Sequence, residues 1–159
     1  MISQTHEICL ALHNIRSTHN VGAIFRTADA IGVSKIYISG YTPAPADRFG
    51  RMRKDIAKSA LGAEKMVEWE AVEDLTGLIA GLKKEKFTVF AVEQDKRSVD
   101  YKKTKPPQKS LLILGNEIEG IERGILDKCD KILEISMKGK KESLNVSVAA
   151  GIVLFGIFG

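Results

Sequence analysis

Short apolar segments alternate with segments of helical periodicity along almost the whole chain. Strands buried on both faces lack polar positions, and a parallel sheet covered by helices on both sides buries them best. The pattern therefore predicts an α/β fold with a mostly parallel sheet, whose ligands bind beyond the carboxyl ends of the strands. The predicted strands are residues 8–12, 35–39, 66–69, 87–92, 111–114 and 132–135, and the predicted helices are residues 21–31, 55–65, 73–86 and 121–128.

The C-terminal segment, residues 146–158, is almost wholly apolar. It has too much apolar surface to remain disordered, and it is too short and too interrupted by Gly151 and Gly156 to span a bilayer. It therefore predicts a terminal helix that is buried in the core or against a second copy of the chain. Its small residues permit close helix packing, which favours a homodimer through this helix. Polar groups in residues 138–145 would lie at the helix N-terminus, where ligands bind readily.

The composition is typical of a single soluble globular domain, with 159 residues, 44% apolar and 28% charged. The N-terminus has no basic region followed by an apolar run, so we expect a cytoplasmic protein that does not contact membranes. Cys9 and Cys129 are too few for a disulfide framework. No cluster of cysteine and histidine has the spacing of a metal site, so no metal is expected.

The net charge is only +4, but the basic residues are clustered. One group, which we call the basic cluster, comprises Arg48, Arg51, Arg53, Lys54 and Lys58. A second group lies within residues 96–109, and three lysines lie within residues 138–141. Such groups either bind a polyanion or form a solvated face.

Three loops that follow predicted strands hold the unusual polar residues, at positions 20–26, 114–120 and 135–145. Taken one at a time, they have ordinary explanations. Arg26 is typical of a surface arginine, Gly115 and Gly120 suit a strand-to-helix turn, and Asn20 and Asn145 are good helix caps. None of the loops carries the glycine pattern of a Rossmann dinucleotide site or of a P-loop.

The order and spacing of the three loops together resemble the SpoU/TrmH branch of the SPOUT superfamily, which are knotted RNA methyltransferases. The resemblance covers essentially the whole chain, and we expect one SPOUT methyltransferase domain over residues 1–159. It implies a deep trefoil knot within about residues 111–159, although connections in α/β proteins are ordinarily unknotted. The matching motifs are Asn20-x-Gly22-x-x-x-Arg26, Leu114-Gly115-Asn116-Glu117-x-x-Gly120 and Ser143-Leu144-Asn145-Val146-Ser147.

The resemblance also implies an activity, which is methyl transfer from S-adenosylmethionine to a ribose 2′-hydroxyl of RNA. It implies that Arg26 acts at the acceptor and that Asn20, Glu117, Ser143 and Asn145 orient it and the loops. It implies an RNA surface on the basic cluster. The lack of an added N-terminal RNA-binding domain favours tRNA over rRNA. The residues implied for cofactor binding are Leu114, Gly115, Ile135, Met137, Ser143 and Leu144.

Alternatives from other classes are a non-catalytic RNA-binding protein on the same scaffold, a member of the fold that methylates a base, and a regulator that binds a small nucleotide. The first would not need Arg26 together with Asn20, Ser143 and Asn145. The motif that contains Arg26 favours ribose over a base. The third would leave the basic residues without a role.

Overall fold

The computed structural model describes residues 5–159, which form one seven-stranded sheet with helices. Every strand pairing is parallel, and the strand order is β3-β2-β1-β6-β4-β7-β5. The predicted parallel α/β architecture is therefore confirmed. The strands are β1 (Glu7–His13), β2 (Lys35–Ser39), β3 (Glu68–Val72), β4 (Thr88–Val92), β5 (Val99–Asp100), β6 (Lys109–Leu114) and β7 (Lys131–Glu134).

Helices cover both faces of the sheet. They are α1 (Thr18–Ile31), α2 (Lys54–Ala60), α3 (Ala63–Met66), α4 (Leu75–Lys84), α5 (Arg123–Leu126) and α6 (Val146–Phe158). Side chains alternate along β1, so that Leu10 and Leu12 belong to the core beneath α1 and α6, whereas Cys9 and Ala11 belong to the core beneath α4 and α5. Two cores on opposite faces explain why the central strands contain almost no polar residues.

The first helix starts earlier than the sequence pattern predicts. Residues 18–20 were expected to lie in a turn capped by Asn20, but Ser17 is the N-cap and its hydroxyl accepts a hydrogen bond from the Asn20 N–H at 3.1 Å. A serine oxygen satisfies the same free N–H groups as an asparagine oxygen, so the helix begins at the earlier cap. Asn20 is thus buried in the first turn of α1 and does not cap it.

The predicted helix over residues 55–65 is two helices. Leu61 and Gly62 adopt φ values of +53° and +94°, which end α2 and start α3. The sequence pattern predicts no strand or helix between residues 92 and 111, but this stretch contains the short edge strand β5 and a 3-10 turn at Tyr101–Lys103. Two residues that pair on one side only are too short a segment to give a periodic signal.

The terminal helix α6 has the predicted bounds, and Ala150, Val153 and Leu154 are buried against the core. Its other side leaves Val148 and Phe155 exposed. Within residues 5–159, no helix combines the length and the apolar character that a membrane crossing needs.

Candidate functional site

A cavity of about 310 Å³ lies beyond the carboxyl ends of β4, β6 and β7. Its walls come from the loop after each of these strands and from the start of α6. This is the edge at which parallel sheets bind ligands, and the volume is within the range of small-molecule sites. The lining residues fall into three groups, which are residues 92–94, residues 114–120, and residues 133–149 in part.

All six residues expected to bind the cofactor line this cavity. They are Leu114, Gly115, Ile135, Met137, Ser143 and Leu144. Distant parts of the chain supply them, so the fold brings together two loops that the sequence separates by about twenty residues. Their shared position makes a common ligand possible, and their role remains a prediction.

The loop over residues 115–120 is held in shape by Asn116. Its Oδ1 accepts hydrogen bonds from the N–H groups of Ile118 and Glu119 at 2.9 and 2.8 Å. Its Nδ2 donates to the Asn14 carbonyl oxygen at 2.9 Å and to the Tyr41 hydroxyl at 2.8 Å. Asn116 therefore joins the cavity to the ends of β1 and β2. Asn116 belongs to the second sequence motif, but the sequence alone assigned it no role; its place within that motif was the available signal.

Glu93 was also missed, and it directly follows β4. Its carboxylate accepts hydrogen bonds from the N–H groups of Gln94 and Ile121, at 2.9 and 3.0 Å. Gly120 has a φ of +72°, and a Cβ there would overlap the Glu93 carboxylate. The backbone conformation thus favours glycine, and a side chain at this position would also displace the Glu93 carboxylate.

Glu117 lines the cavity and ties it to α1. Its two carboxylate oxygens accept hydrogen bonds from the backbone N–H groups of Arg16 and Ser17. Asn145, in contrast, does not line the cavity. Its Oδ1 accepts hydrogen bonds from the Ser147 N–H at 2.9 Å and from the Ser147 hydroxyl at 2.6 Å, so it caps α6.

Arg26 lies outside the cavity. It occupies a groove between α1, the α2–α3 junction and α6, where its neighbours include His19, Leu61 and Phe155. The side chain is exposed. Asn20 does not line either space, and it is buried in the first turn of α1. The structure thus gathers Glu117 and Ser143 at the cavity but leaves Arg26 apart from them.

The basic cluster lies on the segment from β2 into α2. Arg51 pairs with Asp47 at 2.9 Å and Arg53 pairs with Asp55 at 2.9 Å. Hydrogen bonds from the Arg51 and Phe49 backbone N–H groups and the Arg51 side chain lower the pKa of Asp47. Arg53 lowers the pKa of Asp55 in the same way. Within the described chain, the cations of the cluster that make no ion pair are Arg48, Lys54 and Lys58.

A buried polar pair lies beside these loops at the ends of β1 and β2. His13 Nδ1 is 2.8 Å from Ser39 Oγ, and His13 Nε2 is 3.0 Å from Glu122 Oε1. Ser39 is fully covered, so this serine is not accessible as a nucleophile. The arrangement ties the start of α5 to the sheet.

Comparisons with known proteins agree with this architecture. Residues 7–155 match the model of the SpoU rRNA Methylase family. The chain is 33% identical over 147 residues to the 23S rRNA (guanosine-2′-O-)-methyltransferase of Neisseria meningitidis serogroup B, and the match covers 92% of this chain and 56% of that protein. The chain thus spans little more than half the length of this relative.

Two solved structures share the fold with a TM-score of 0.83 each. One is the TrmH/SpoU tRNA modifying enzyme of A. aeolicus, which is 29% identical, with coverage of 96% of this chain and 74% of that chain. The other is the AdoMet-bound rRNA methyltransferase of Sinorhizobium meliloti, which is 26% identical, with coverage of 98% and 57%. With its three sequence motifs, its parallel sheet and a family match over nearly its whole length, this chain belongs to the SpoU methylase family.

Proposed function

We propose that this protein transfers a methyl group from S-adenosylmethionine to a ribose 2′-hydroxyl of RNA. The observation that carries the proposal is that Gly115, Ile135 and Leu144 line one cavity. Gly115 belongs to the second family motif and Leu144 to the third, and Ile135 lies just before the third. The Neisseria relative is named for 2′-O-methylation of RNA, and the Sinorhizobium structure is named as AdoMet-bound. Both names support the same reaction class here.

The residues around the cavity fit S-adenosylmethionine. Leu114, Ile135 and Met137 supply apolar surface for an adenine ring, and Gly115 allows the backbone to approach it closely. Four acidic residues in the lining suit a ligand that carries a sulfonium and an ammonium group. They are Glu93, Glu117, Glu134 and Glu142. When bound, S-adenosylmethionine supplies an electrophilic methyl group.

Arg26 is the residue we assign to the acceptor. A charged guanidinium has no lone pair, so it cannot take the hydroxyl proton. We assign it to the phosphate next to the acceptor ribose, where its charge stabilises the developing alkoxide while a phosphate oxygen or water takes the proton. The alternative is a neutral Arg26 that acts as the base. Holding the reactants in line supplies about 7–11 kcal/mol of the barrier in well-oriented reactions.

The two versions differ in how Arg26→Lys depends on pH. Lysine retains the charge but loses the planar fork, so charge stabilisation predicts weak activity without a steep rise with pH. An ammonium loses its proton more easily than a guanidinium, so a base mechanism predicts that Arg26→Lys equals or exceeds wild type at high pH. Single-turnover rates of both proteins from about pH 7 to pH 10 separate the versions.

We also propose a homodimer formed through α6. Val148 and Phe155 lie seven positions apart on this helix and stay exposed, with Phe155 at 48%. Phe155 also lines the groove that contains Leu61, and Leu61 is exposed. Exposed apolar side chains grouped in this way are typical of an interface. Sedimentation should show a dimer for wild type and a monomer for Phe155→Asp; a wild-type monomer at micromolar concentration contradicts the proposal.

A two-fold dimer would also account for the position of Arg26. A two-fold axis perpendicular to α6 packs the two helices antiparallel. The cavity touches Val146 and Ala149 near the start of α6, whereas the groove of Arg26 touches Phe155 near its end. Antiparallel packing therefore brings Arg26 of one protomer towards the cavity of its partner. Mixing Arg26→Ala with a cavity variant, Gly115→Val, should restore part of the activity that each lacks alone.

The C-terminal trefoil knot, over about residues 111–159, is part of the same proposal. The supporting observation is the path of residues 135–145, which run from β7 past the loops after β4 and β6 to α6. An experimental structure that traces residues 93–159 tests it. An open connection there would contradict it.

The substrate assay offers tRNA and rRNA in separate reactions with labelled S-adenosylmethionine. We propose tRNA as the substrate, in line with the A. aeolicus tRNA modifying enzyme. Label in tRNA alone supports this choice, and label in rRNA alone replaces tRNA by rRNA while keeping the reaction. No transfer to either RNA contradicts the proposed function.

A further inference from the structure

The segment between β2 and α2 leaves the sheet at the same edge as the loops of the cavity, and it carries two exposed aromatic side chains. Tyr41 is 55% exposed and Phe49 is 67% exposed. Burial of a phenyl ring contributes about 1.5–3 kcal/mol to folding, so rings left in water are not explained by stability. Both belong to the segment that carries the basic cluster, and neither has an assigned role in the reaction proposed above.

Tyr41 lies at the rim of the cavity. Its hydroxyl accepts the hydrogen bond from Asn116 Nδ2 at 2.8 Å, and Asn116 lines the cavity. Its backbone N–H donates to Asn14 Oδ1 at 3.2 Å. Hydrogen bonds at the backbone and at the hydroxyl fix the ring next to the site while leaving its surface open.

Phe49 lies at the tip of a short hairpin that internal hydrogen bonds hold together. The Asp47 Oδ1 accepts hydrogen bonds from the Phe49 and Arg51 N–H groups at 2.8 and 3.0 Å. Ala46 and Met52 form an antiparallel bridge below the tip. A ring on a tip that these bonds hold in place loses little conformational freedom when it binds. Contact with it therefore contributes more to affinity than contact with a ring on a flexible loop.

Two arginine guanidinium groups lie over the Phe49 ring. The Arg48 and Arg51 guanidinium carbons lie 4.8 and 5.1 Å from the ring centroid. Guanidinium planes stack on nucleobases as phenyl rings do, and Arg48 also offers its charge to a phosphate. An apolar ring between cations fits a nucleobase beside its phosphate better than it fits an uncharged protein surface.

We propose that Phe49 and Tyr41 are stacking sites for unpaired bases of the RNA, with Tyr41 serving a base next to the reacting nucleotide. The proposal rests on the function proposed above and specifies its substrate, which is RNA whose target lies in a loop or single strand. Bases within a duplex already stack on each other and present no free face. Stacking is tolerant of base identity, so the site selects unpaired structure more than sequence.

The test measures binding without methyl transfer. The probes are a fluorescein-labelled single-stranded RNA of about twelve nucleotides and the same strand annealed to its complement. Phe49→Ala and Phe49→Leu should each weaken single-strand binding by roughly 5- to 150-fold, because leucine keeps apolar volume but has no ring face. Phe49→Trp should keep the wild-type affinity because it keeps a ring. None of these changes removes a charge, so the slope of log affinity against log salt should stay at its wild-type value in all of them.

Tyr41 offers a matched pair. Tyr41→Phe loses the hydroxyl that accepts from Asn116 but keeps the ring face, so it should bind the single strand more tightly than Tyr41→Leu does. Met66→Ala is the control, because Met66 is 75% exposed and lies at the end of α3, just before β3 and thus at the opposite edge of the sheet. Circular dichroism and S-adenosylmethionine titration check that each variant folds.

Wild-type affinity of Phe49→Ala and Tyr41→Leu for the single strand overturns the proposal. Wild-type affinity of Phe49→Leu for the single strand also overturns the proposal, because apolar volume without a ring face would then be enough for binding. An equal loss on single strand and duplex overturns it too. These comparisons of binding affinity do not involve methyl transfer, so a failed stacking proposal leaves the proposed reaction intact. A wild-type protein that methylates no RNA refutes the proposed reaction and leaves the stacking result standing.

Discussion

The Glu117 carboxylate accepts a hydrogen bond at 3.3 Å from the backbone N–H of Ser17, the N-cap of α1. A residue of the cavity thus holds the start of the helix that carries Arg26, across one hundred positions of sequence. The two parts of the proposed site share this connection. A change at Glu117 should therefore disturb the acceptor side of the site as well as the cavity.

Glu117→Gln should lower the methyl-transfer rate and should have only a small effect on the free energy of unfolding. The amide replaces one of two acceptor oxygens by a donor, and a hydrogen bond of this kind contributes about 0.5–1.5 kcal/mol. We expect a loss of several-fold in single-turnover rate and nearly unchanged S-adenosylmethionine affinity by isothermal titration. A wild-type rate would show that the link to Ser17 does not matter for the reaction.

Gly115→Ala should weaken S-adenosylmethionine binding. A Cβ at this position would overlap the Ile121 side chain and lie 2.9 Å from the Gly120 carbonyl oxygen, so the loop must shift. Overpacking of this kind costs about 1–3 kcal/mol. Gly124→Ala is the matched control, because no heavy atom lies within 4 Å of its Cβ position. Equal affinities of the two variants, measured by titration, would contradict the assignment of this loop.

Ser110→Ala should raise the free energy of unfolding by about 1 kcal/mol. Its hydroxyl is buried in β6 and has no hydrogen-bond partner among residues 5–159, so folding removes it from water without compensation. Ser39→Ala should act in the opposite direction by about the same amount, because His13 lies 2.8 Å from that hydroxyl. Urea unfolding of both variants measures the difference; a destabilised Ser110→Ala contradicts this reading.

The two cysteines should resist alkylation in the folded protein. Burial raises the pKa of the Cys9 thiol and of the Cys129 thiol from 9.0 to about 11. The thiolate is the reactive form, so iodoacetamide at about pH 8.5 should label neither thiol in buffer and both in urea. The raised folded-state pKa values stabilise the protein below about pH 9, and this contribution is lost as the pH rises through 11. Native labelling, detected by mass spectrometry, would contradict it.

Periodicity was sufficient to predict the sheet and the terminal helix, because apolar runs such as residues 111–114 leave few other structures possible. It failed where one residue decides the backbone. Ser17 is the N-cap of α1 because its hydroxyl accepts a hydrogen bond from a free N–H of the first turn. Gly62 interrupts the predicted helix over residues 55–65. The edge strand β5 depends on pairing with β7, which no local pattern contains.

The cavity loops could be selected from motifs, but their internal support could not. Asn116 donates to the Asn14 carbonyl oxygen and Glu93 accepts from the Ile121 N–H, and only the fold brings these groups near each other. The separation of Arg26 from the cavity was likewise not evident from spacing, because residues 27–113 lie between Arg26 and the second motif and only the packed fold sets their distance. Long-range geometry of this kind is a property of the packed chain.

The most direct test of the account is the position of the transferred methyl group. The wild-type protein is incubated with RNA and S-adenosylmethionine that carries a deuterated methyl group, and the RNA is then digested to nucleosides for mass spectrometry. The account predicts a labelled nucleoside in which the methyl group is on the ribose, and no such product from Arg26→Ala. A label on a base, or the same ribose product at the wild-type rate from Arg26→Ala, would contradict it.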